Sequence, residues 1–360
     1  MSTRVVTVDG RFLTMALSGV QRYAHEILRR LPARLESRLR VLVPPDRVLT
    51  DPDEFADIEV TETWHGAGGH RWEQVTLPRL VRRAGSDLLW SPCNWGPLAV
   101  RRQVLVLHDI APLTRPEYFT REYTILARLL MAPLLRRLPI VVTPSKSVRR
   151  ELEQRSPRLS SRTRVIPPGV GPPFDSLPLD DLDRRPGTYC VLVGAHDARK
   201  NVDFLLSLWP EVHARTGLEL HLTYRRLVTT RQLHDLEARS GQGVVLHADP
   251  SDADLAKLYA GALCVVWPSH YEGYGFPLLE AMAVGTPFLA TDVGAAAELA
   301  VDPDQQILPL DAERWCHRLE EWHARGVREL RTASVERARA MTWDAAADAT
   351  ATLLDELAAT

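Results

Sequence analysis

The sequence predicts two doubly wound α/β domains followed by a helical C-terminal segment. Short apolar, β-branched runs alternate with amphipathic helical segments in both halves, as in parallel sheets covered on both faces. A length of 360 residues favours two domains over one. The densest Pro/Gly cluster, at 167–173, can continue neither a helix nor a central strand. It therefore separates a predicted N-terminal domain, residues 1–170, from a C-terminal domain, residues 171–342.

The predicted elements alternate strand and helix along the chain up to about residue 311 and are helical beyond it. After a strand-like start, the N-terminal half has predicted strands at 41–43, 87–90, 104–107, 140–143 and 165–166, and helices at 19–31 and 121–137. The C-terminal half has predicted strands at 189–193, 219–223, 244–247, 264–267 and 287–291, and helices at 201–215, 230–239, 252–262 and 277–284. This order is typical of βαβ units.

The net charge of −2 conceals a basic N-terminal half and an acidic C-terminal half. Residues 1–170 hold 27 Lys+Arg against 17 Asp+Glu, and the remainder has the opposite excess. A basic half favours an anionic partner. No nucleic-acid-binding motif accompanies the charge, so nucleic acid is not an expected partner.

The composition also indicates a compartment. No apolar run reaches the roughly 18–20 residues of a membrane-spanning helix, and the N-terminus lacks the apolar core of a signal peptide. The four cysteines are far apart and have no metal-ligand spacing: Cys93, Cys190, Cys264 and Cys316. We therefore expect a cytoplasmic protein with reduced thiols.

A strand-to-helix turn is the most informative segment for function. Gly273 and Gly275 allow backbone N–H groups to approach a ligand, and a helix that starts at Pro277 favours phosphate at its N-terminus. Glu272 in the loop and Glu280 in the helix can accept hydrogen bonds from sugar hydroxyls at the two ends of a diphosphate. The spacing alone also fits a second interpretation, in which the segment is a glycine turn with a helix-capping acid and binds no ligand.

Residues 272–287, EGYGFPLLEAMAVGTP, resemble the Glu-x7-Glu signature of the family 4 glycosyltransferases, which have the GT-B fold. The resemblance covers nearly the whole chain in the family's order: the first glycine loop (18–28), the HD strand and loop (104–119), the next segment (141–152), the hinge (164–174), the phosphate loop (193–206) and the donor core (258–287). It implies two Rossmann-like doubly wound domains facing a central cleft, with the last helix, about 343–357, packed back on the N-terminal domain.

The resemblance assigns phosphate-binding roles to the loop that precedes Asn201. Lys200 corresponds to the lysine that binds the donor phosphates, and a fixed cation there would stabilise a departing diphosphate. Gly194 corresponds to the glycine of this loop. Many relatives have Arg directly after that glycine, whereas this chain has Ala195. Arg199 is therefore a candidate for the missing positive charge.

The two glutamates take the other donor contacts. Glu272 matches the acid that contacts the donor sugar, and Glu280 matches the acid that holds the ribose. The segment between them is expected to contact sugar and phosphate: Gly273, Tyr274, Gly275, Phe276, Pro277 and Leu278.

In the N-terminal domain, Gly19 matches the loop glycine that faces the diphosphate. His108 matches a histidine near the donor sugar and, with Glu272 and Lys200, is a candidate catalytic residue. Without the resemblance, His108 is equally explained as a buried structural histidine bonded to Asp109.

No metal or other cofactor is expected. Four Asp-x-Asp pairs imitate the metal-binding motif of other glycosyltransferases, but their surroundings favour turns or helix N-caps: Asp51/Asp53, Asp181/Asp183, Asp252/Asp254 and Asp302/Asp304. His65 and His70 flank a glycine-rich run, which favours a loop over a metal site.

The reaction implied by the resemblance is retaining transfer of a hexosyl group from a nucleotide-sugar to a hydroxyl of a glycan, glycolipid or small-molecule acceptor. Likeness to mannosyl- and rhamnosyl-transferases makes GDP-mannose the first candidate donor, with UDP- and dTDP-sugars as the other candidates. The alternatives are a nucleotide-sugar epimerase of GT-B fold and a non-catalytic nucleotide-sugar-binding protein. The basic domain, with an apolar and arginine-flanked segment at 125–138, also allows peripheral contact with an anionic membrane, although a core helix explains that segment as well.

Overall fold

The computed structural model describes residues 4–44, 59–62, 69–176, 187–225 and 230–360. The chain divides into two compact units, the first comprising Met1–Gly169 with Thr342–Thr360 and the second Val170–Met341. Each unit is built on one parallel sheet, which confirms the predicted α/β fold class. Three of the sequence features singled out above lie outside the described residues: Asp51/Asp53, Asp181/Asp183 and His65.

The first unit contains a sheet of seven strands. They are β1 (Val5–Asp9), β2 (Arg38–Val43), β3 (Glu59–Glu62), β4 (Leu88–Ser91), β5 (Gln103–Val106), β6 (Ile140–Thr143) and β7 (Thr163–Val165). Their order in the sheet is β3-β2-β1-β4-β5-β6-β7. Strands β4 and β5 bury all their side chains, as expected for continuous apolar runs in a parallel sheet. The edge strand β3 was not predicted, because its sequence, Glu-Val-Thr-Glu, contains no such run.

The helices of the first unit are α1 (Gly19–Leu28), α2 (Gly69–Arg71), α3 (Leu77–Arg83), α4 (Ala111–Thr114), α5 (Arg121–Arg137) and α6 (Lys146–Arg155). Hydroxyl caps fix two of the starts, because Thr120 accepts from the backbone N–H of Tyr123 and Ser145 from that of Val148. Helix α1 ends three residues before its predicted end, and a separate 3-10 turn, Leu31–Ala33, follows it with Pro32 in its first turn.

The second unit contains five strands, each close to its predicted position. They are β8 (Tyr189–Val193), β9 (Glu219–Tyr224), β10 (Val244–Ala248), β11 (Cys264–Trp267) and β12 (Phe288–Ala290). Their order is β10-β9-β8-β11-β12, so β8 and β11 are neighbours in the sheet although three helices and two strands separate them in the chain. Cys264 lies opposite Cys190 in this pairing, and Val265 lies opposite Val191.

The helices of the second unit are α7 (Val202–Thr216), α8 (Thr230–Arg239), α9 (Asp252–Gly261), α10 (Phe276–Ala283), α11 (Ala296–Leu299), α12 (Pro303–Gln306), α13 (Ala312–Arg325) and α14 (Arg328–Arg339). Gly217 ends α7 in the left-handed region, at φ 75°. The core of this unit includes three fully buried indoles: Trp209, Trp267 and Trp315.

The last helix, α15 (Trp343–Ala359), belongs to the first unit, where it contacts α1, β1 and β4. Its alanines give it a narrow buried face. The guanidinium of Arg34 pairs with Asp344 and Asp348, and the carboxylate of Asp355 accepts from the backbone and hydroxyl of Ser37. A Cβ at Gly169 would lie 2.0 Å from the backbone N of Trp343, so only glycine fits beside the start of α15.

Helix α5 lies partly in the core and partly at the surface. Ala127, Met131 and Leu134 are buried, whereas Ile125 and Leu129 are 55% and 64% exposed. One side of α5 therefore packs in the core, and the other side exposes apolar side chains. Within the ranges that the structure describes, no helix is long and apolar enough to cross a membrane.

Candidate active site

Two loops meet at the centre of the second sheet, at the carboxyl ends of β8 and β11. In doubly wound sheets, the carboxyl ends of strands at the point where the strand order reverses form the usual ligand site. The loop after β8 contains Gly194 and Lys200, and the loop after β11 contains Glu272 and Gly275. These four residues, all predicted to bind the donor, thus lie in loops that follow adjacent strands.

The loop after β8 is shaped to present Lys200. Gly194 adopts φ 81°, and its N–H and that of Ala195 donate to Thr223 at the end of β9. The Asp197 carboxylate accepts from the N–H of Arg199 and caps the 3-10 turn Ala198–Lys200. Asn201 then adopts a left-handed conformation, φ 52°, which asparagine tolerates better than most residues, and α7 begins. Lys200 is therefore fixed between a capped turn and a helix start.

The Lys200 ammonium lies between a carboxylate and an aromatic ring. Its Nζ is 2.6 Å from Glu272 Oε1 and 3.7 Å from the centroid of the Trp267 ring. The side chains of Lys200 and Glu272 are only 13% and 11% exposed, so their attraction is weakly screened. The structure thus brings together the predicted phosphate-binding cation and the predicted sugar-binding acid.

Arg199, the candidate for the missing positive charge, pairs with a neighbouring carboxylate. Its guanidinium makes hydrogen bonds of 2.6–3.1 Å to both carboxylate oxygens of Asp197, so its charge is balanced locally. Arg225, at the end of β9, is a second cation near this loop. Burial lowers the pKa of His196, and the charges of Arg225 and Lys200 lower it further, against the opposing effect of Asp197.

The loop after β11 depends on two left-handed glycines. Gly275, at φ 99°, leads into α10, where Pro277 occupies the first turn. Gly294, at φ 58°, passes behind the loop, and a Cβ there would lie 2.6 Å from Glu272 Cβ. The backbone N–H of Ala295 donates to the carbonyl of Tyr274. Gly294 therefore sets the position of Glu272, and the sequence analysis did not identify it.

The other predicted donor-binding residues differ in exposure. Gly273, Phe276 and Pro277 are partly exposed. Tyr274 and Leu278 are buried, so they can offer a ligand little beyond their backbone. Burial raises the pKa of the Tyr274 phenol, which keeps it neutral. Glu280 is 8% exposed on α10.

In the first unit, the structure places His108 just after β5 and Gly19 at the first position of α1. His108 Nε2 lies 2.9 Å from the carbonyl of Pro92, which can only accept, so this nitrogen carries the hydrogen. The backbone N–H of His108 donates to Asn94 Oδ1 at 2.6 Å, and Tyr23 packs edge-on against the imidazole. Burial lowers the pKa of His108 to about 4, so the ring is neutral at pH 7.

The remaining acids and histidines with metal-like spacing have other local roles. Asp302 caps α12, while Asp252 and Asp254 lie in the first turn of α9. His70 hydrogen-bonds to Glu73. Within the described part of the chain, no group of three or more His, Cys, Asp or Glu side chains is arranged to hold a metal ion.

A buried acidic pair at the end of β1 was not predicted. Asp9 and Glu73 are 4% and 1% exposed and are hydrogen-bonded through their side chains. The Arg11 guanidinium and His70 Nδ1 lie 3.8 and 3.1 Å from Glu73 Oε2. Burial, and then the charge of Glu73, raises the pKa of Asp9 well above its ordinary value, and burial also raises the pKa of Glu73. The pair therefore retains a proton at a pH where the unfolded chain has released it.

This pair predicts a stability change with a definite sign. Because the folded state binds the extra proton, the free energy of unfolding should fall as pH rises above the ordinary carboxyl pKa, by at most about 1.4 kcal/mol per pH unit per proton. Asp9→Asn imitates the protonated acid and should flatten this slope without loss of stability at pH 8. Urea unfolding of both proteins between pH 5 and 8 measures the effect. An unchanged slope, or a variant less stable at every pH, contradicts the shared-proton interpretation.

Two family models match the chain, one in each half. A family model described as Glycosyltransferase Family 4 matches residues 17–172, which include Gly19 and His108. A model described as Glycosyl transferases group 1 matches residues 187–324, which include Lys200, Glu272 and Glu280. The two matches together span most of the chain.

Two curated relatives are mannosyltransferases. The O-antigen chain mannosyltransferase B of Escherichia coli is 28% identical over 69% of this chain and 68% of its own length. The O-antigen chain mannosyltransferase RfbU of Salmonella typhimurium is 26% identical over 67% of this chain and 66% of its own length.

Three solved structures share the fold over almost the full chain. Sucrose-phosphate synthase from Thermosynechococcus elongatus has a TM-score of 0.73 at 19% identity, covering 99% of both chains. HepE of Anabaena, in complex with UDP, has a TM-score of 0.71 at 17% identity, covering 98% of this chain and 100% of its own. WaaG, a glycosyltransferase involved in lipopolysaccharide biosynthesis, has a TM-score of 0.66 at 16% identity, covering 97% and 99%. With both parallel-sheet units, these likenesses show the GT-B fold. The two family matches, over residues 17–172 and 187–324, show that the chain is a glycosyltransferase of family 4.

Proposed function

We propose that this enzyme transfers a hexosyl group from a nucleotide-sugar to an acceptor hydroxyl with retention of anomeric configuration. The observation that carries the proposal is the placement of Lys200 and Glu272 within 2.6 Å of each other, at the adjacent ends of β8 and β11. A nucleotide-sugar presents a diphosphate next to a ring of hydroxyl groups. The cation can bind the diphosphate, and the carboxylate beside it can accept hydrogen bonds from the hydroxyl groups.

Each side chain has a distinct role in this proposal. Lys200 binds the diphosphate and stabilises the negative charge that grows on it as the bond to the sugar breaks. Helix α10 begins at Phe276, at the end of the loop that holds Glu272, and its N-terminus adds a partial positive charge there. Glu272 accepts hydrogen bonds from sugar hydroxyls, and Glu280 accepts them from the ribose. Because Lys200 supplies the positive charge at the phosphates, no metal ion is required.

The acceptor hydroxyl attacks on the face from which the diphosphate leaves, and its proton goes to a leaving phosphate oxygen. No protein nucleophile is needed in this route. The low pKa of His108, about 4, argues against it as a proton donor at neutral pH. We propose instead that its Nδ1, which carries no hydrogen when Nε2 donates to Pro92, accepts a neutral hydrogen bond from a substrate hydroxyl.

Mannose from GDP-mannose is our first choice of donor, since two curated relatives are mannosyltransferases. UDP-sugars are the competing donors, because HepE was solved with UDP. A thermal-shift panel of nucleotides and nucleotide-sugars, run in EDTA, discriminates between them. A ligand at 100 times its dissociation constant stabilises a protein by about 2.7 kcal/mol. We expect GDP-mannose to raise the Tm in EDTA. No shift with any member, or a shift that requires Mg²⁺ or Mn²⁺, contradicts the proposal or its metal-free form.

We further propose that the acceptor is anionic or lies at an anionic membrane surface on the cytoplasmic side. Residues 1–170 carry the positive excess. Helix α5 exposes Ile125 and Leu129 beside the exposed Arg121 and Arg128, a pattern suited to an anionic lipid interface.

Co-sedimentation with vesicles tests this surface. The double substitution Ile125→Glu with Leu129→Glu should weaken binding to anionic vesicles roughly tenfold or more, because two apolar side chains no longer enter the interface. High salt should weaken binding by the unaltered protein, since exposed charges are screened beyond about 8 Å at physiological ionic strength. Leu310→Glu, at a 41% exposed residue of the second unit, is the matched control. Equal or absent binding to anionic and neutral vesicles excludes the membrane role.

A further inference from the structure

The indole of Trp267 lies directly against the Lys200 ammonium, and the roles described above do not use it. Trp267 is the last residue of β11 and is fully buried. Its backbone is fixed on one side by pairing with Ala290 of β12. Its carbonyl also accepts from the N–H of Thr291. The ring is thus held by the sheet itself, so it offers a rigid surface at the bottom of the site.

A cation 3.7 Å from an indole centroid is within the range of a strong cation–π contact. Tryptophan has the most favourable ring for this contact, and burial strengthens it. The contact differs from the ion pair with Glu272 in one respect. The ring carries no net charge, so it attracts the ammonium without repelling an incoming diphosphate, whereas the carboxylate repels it.

The indole of Trp267 contacts Lys200 through its ring face and not through its nitrogen. Trp267 Nε1 is buried and finds no hydrogen-bond partner among the described residues. A buried donor without a partner costs free energy, which a phenylalanine or leucine would avoid. By contrast, the buried Trp209 donates its N–H to the carbonyl of Leu218. The buried nitrogens of Trp90 and Trp322 also lack a partner among the described residues, so the feature that sets Trp267 apart is the 3.7 Å contact of its ring with the ammonium.

We propose that Trp267 is a positioning residue that keeps the Lys200 ammonium directed at the donor diphosphate when Glu272 is engaged with the donor sugar. The inference rests on the proposed function of Lys200. It assigns two partners to one cation: Glu272 can exchange its contact for sugar hydroxyls, while the ring of Trp267 remains in place through the reaction.

Fluorinated tryptophans placed at position 267 alone test this inference. Fluorine withdraws electron density from the ring face while nearly preserving its shape, so the cation–π contact weakens and the packing does not. Calorimetry with GDP and with UDP measures the binding. We expect the dissociation constant to rise stepwise with each added fluorine, to roughly tenfold for the trifluoro form. Equal affinity across the series overturns the inference and leaves Trp267 with a packing role.

A Lys200→Met background separates this inference from the proposal it rests on. If Trp267 acts through Lys200, fluorination should have no effect on nucleotide binding once the ammonium is absent. An effect of the same size in both backgrounds overturns the inference. If Lys200→Met itself leaves nucleotide affinity unchanged, the proposed role of Lys200 fails instead. Trp267→Leu and Trp209→Leu, compared at matched stability, give a second check: only the first should weaken nucleotide binding.

Discussion

Lys200→Ala should lower kcat by roughly 10²–10³ while leaving the fold intact. The substitution removes the charge that stabilises the departing diphosphate, and losses of this size are typical when one such contact is removed. The lysine also pairs with Glu272, so some of the loss reflects a carboxylate left without its partner. Steady-state kinetics with the donor identified by thermal shift gives kcat, and circular dichroism with a melting curve verifies the fold.

Lys257→Ala is the matched control for this measurement. Lys257 is one of only three lysines in the chain and lies exposed on α9 of the same unit. The Lys257→Ala enzyme should turn over at the normal rate. Near-normal turnover by Lys200→Ala would remove this residue from the site and, with it, the basis for locating the donor phosphates here.

Gly294→Ala should reduce kcat/KM by about 10², although residue 294 has no chemical group of its own. The new Cβ would lie 2.6 Å from Glu272 Cβ and 3.1 Å from the carbonyl oxygen of Tyr274, so the Glu272 loop must move. A displacement of about 1 Å in a catalytic group can cost 10²-fold in rate. Kinetics with saturating and limiting donor give the change in kcat/KM.

Gly217→Ala separates this effect from backbone strain. Gly217 also has a positive φ, 75°, but a Cβ there meets nothing within 4 Å. Both variants should therefore lose about 1–2 kcal/mol of stability from the left-handed backbone, and only Gly294→Ala should lose activity. Equal activity in the two variants would show that Glu272 tolerates displacement and has no positional role in the reaction.

Local pattern was sufficient to predict the fold class and most elements. The helix predicted at 121–137 is α5, and that predicted at 230–239 is α8, because both have clear amphipathic periods and bounded ends. All five strands of the second sheet were apolar enough to identify. Strand β3 was missed because an edge strand need not be apolar.

The contacts that shape the site depend on tertiary structure, so they could not be predicted from local sequence patterns. Residues 200 and 272 were found through a resemblance, but their 2.6 Å contact joins strand ends 72 positions apart. Gly294 and Trp267 act by what they touch, and no spacing rule reveals such contacts. The pairing of Asp9 with Glu73 likewise joins distant segments. Arg199 stays a predicted phosphate-binding cation, but the sequence does not show that the Asp197 carboxylate turns back and pairs with its guanidinium.

The anomeric configuration of the product tests the central claim most directly. NMR of the product formed from the stabilising donor reports the configuration at the transferred carbon through the one-bond coupling between C1 and H1, which separates the two anomers even for mannose, where the H1–H2 coupling is small in both. If Lys200 stabilises the leaving diphosphate and that phosphate accepts the acceptor's proton, the product keeps the configuration of the donor. An α-linked donor sugar then gives an α-linked product. A product of inverted configuration, or a free epimerised sugar with no new glycosidic bond, would contradict it.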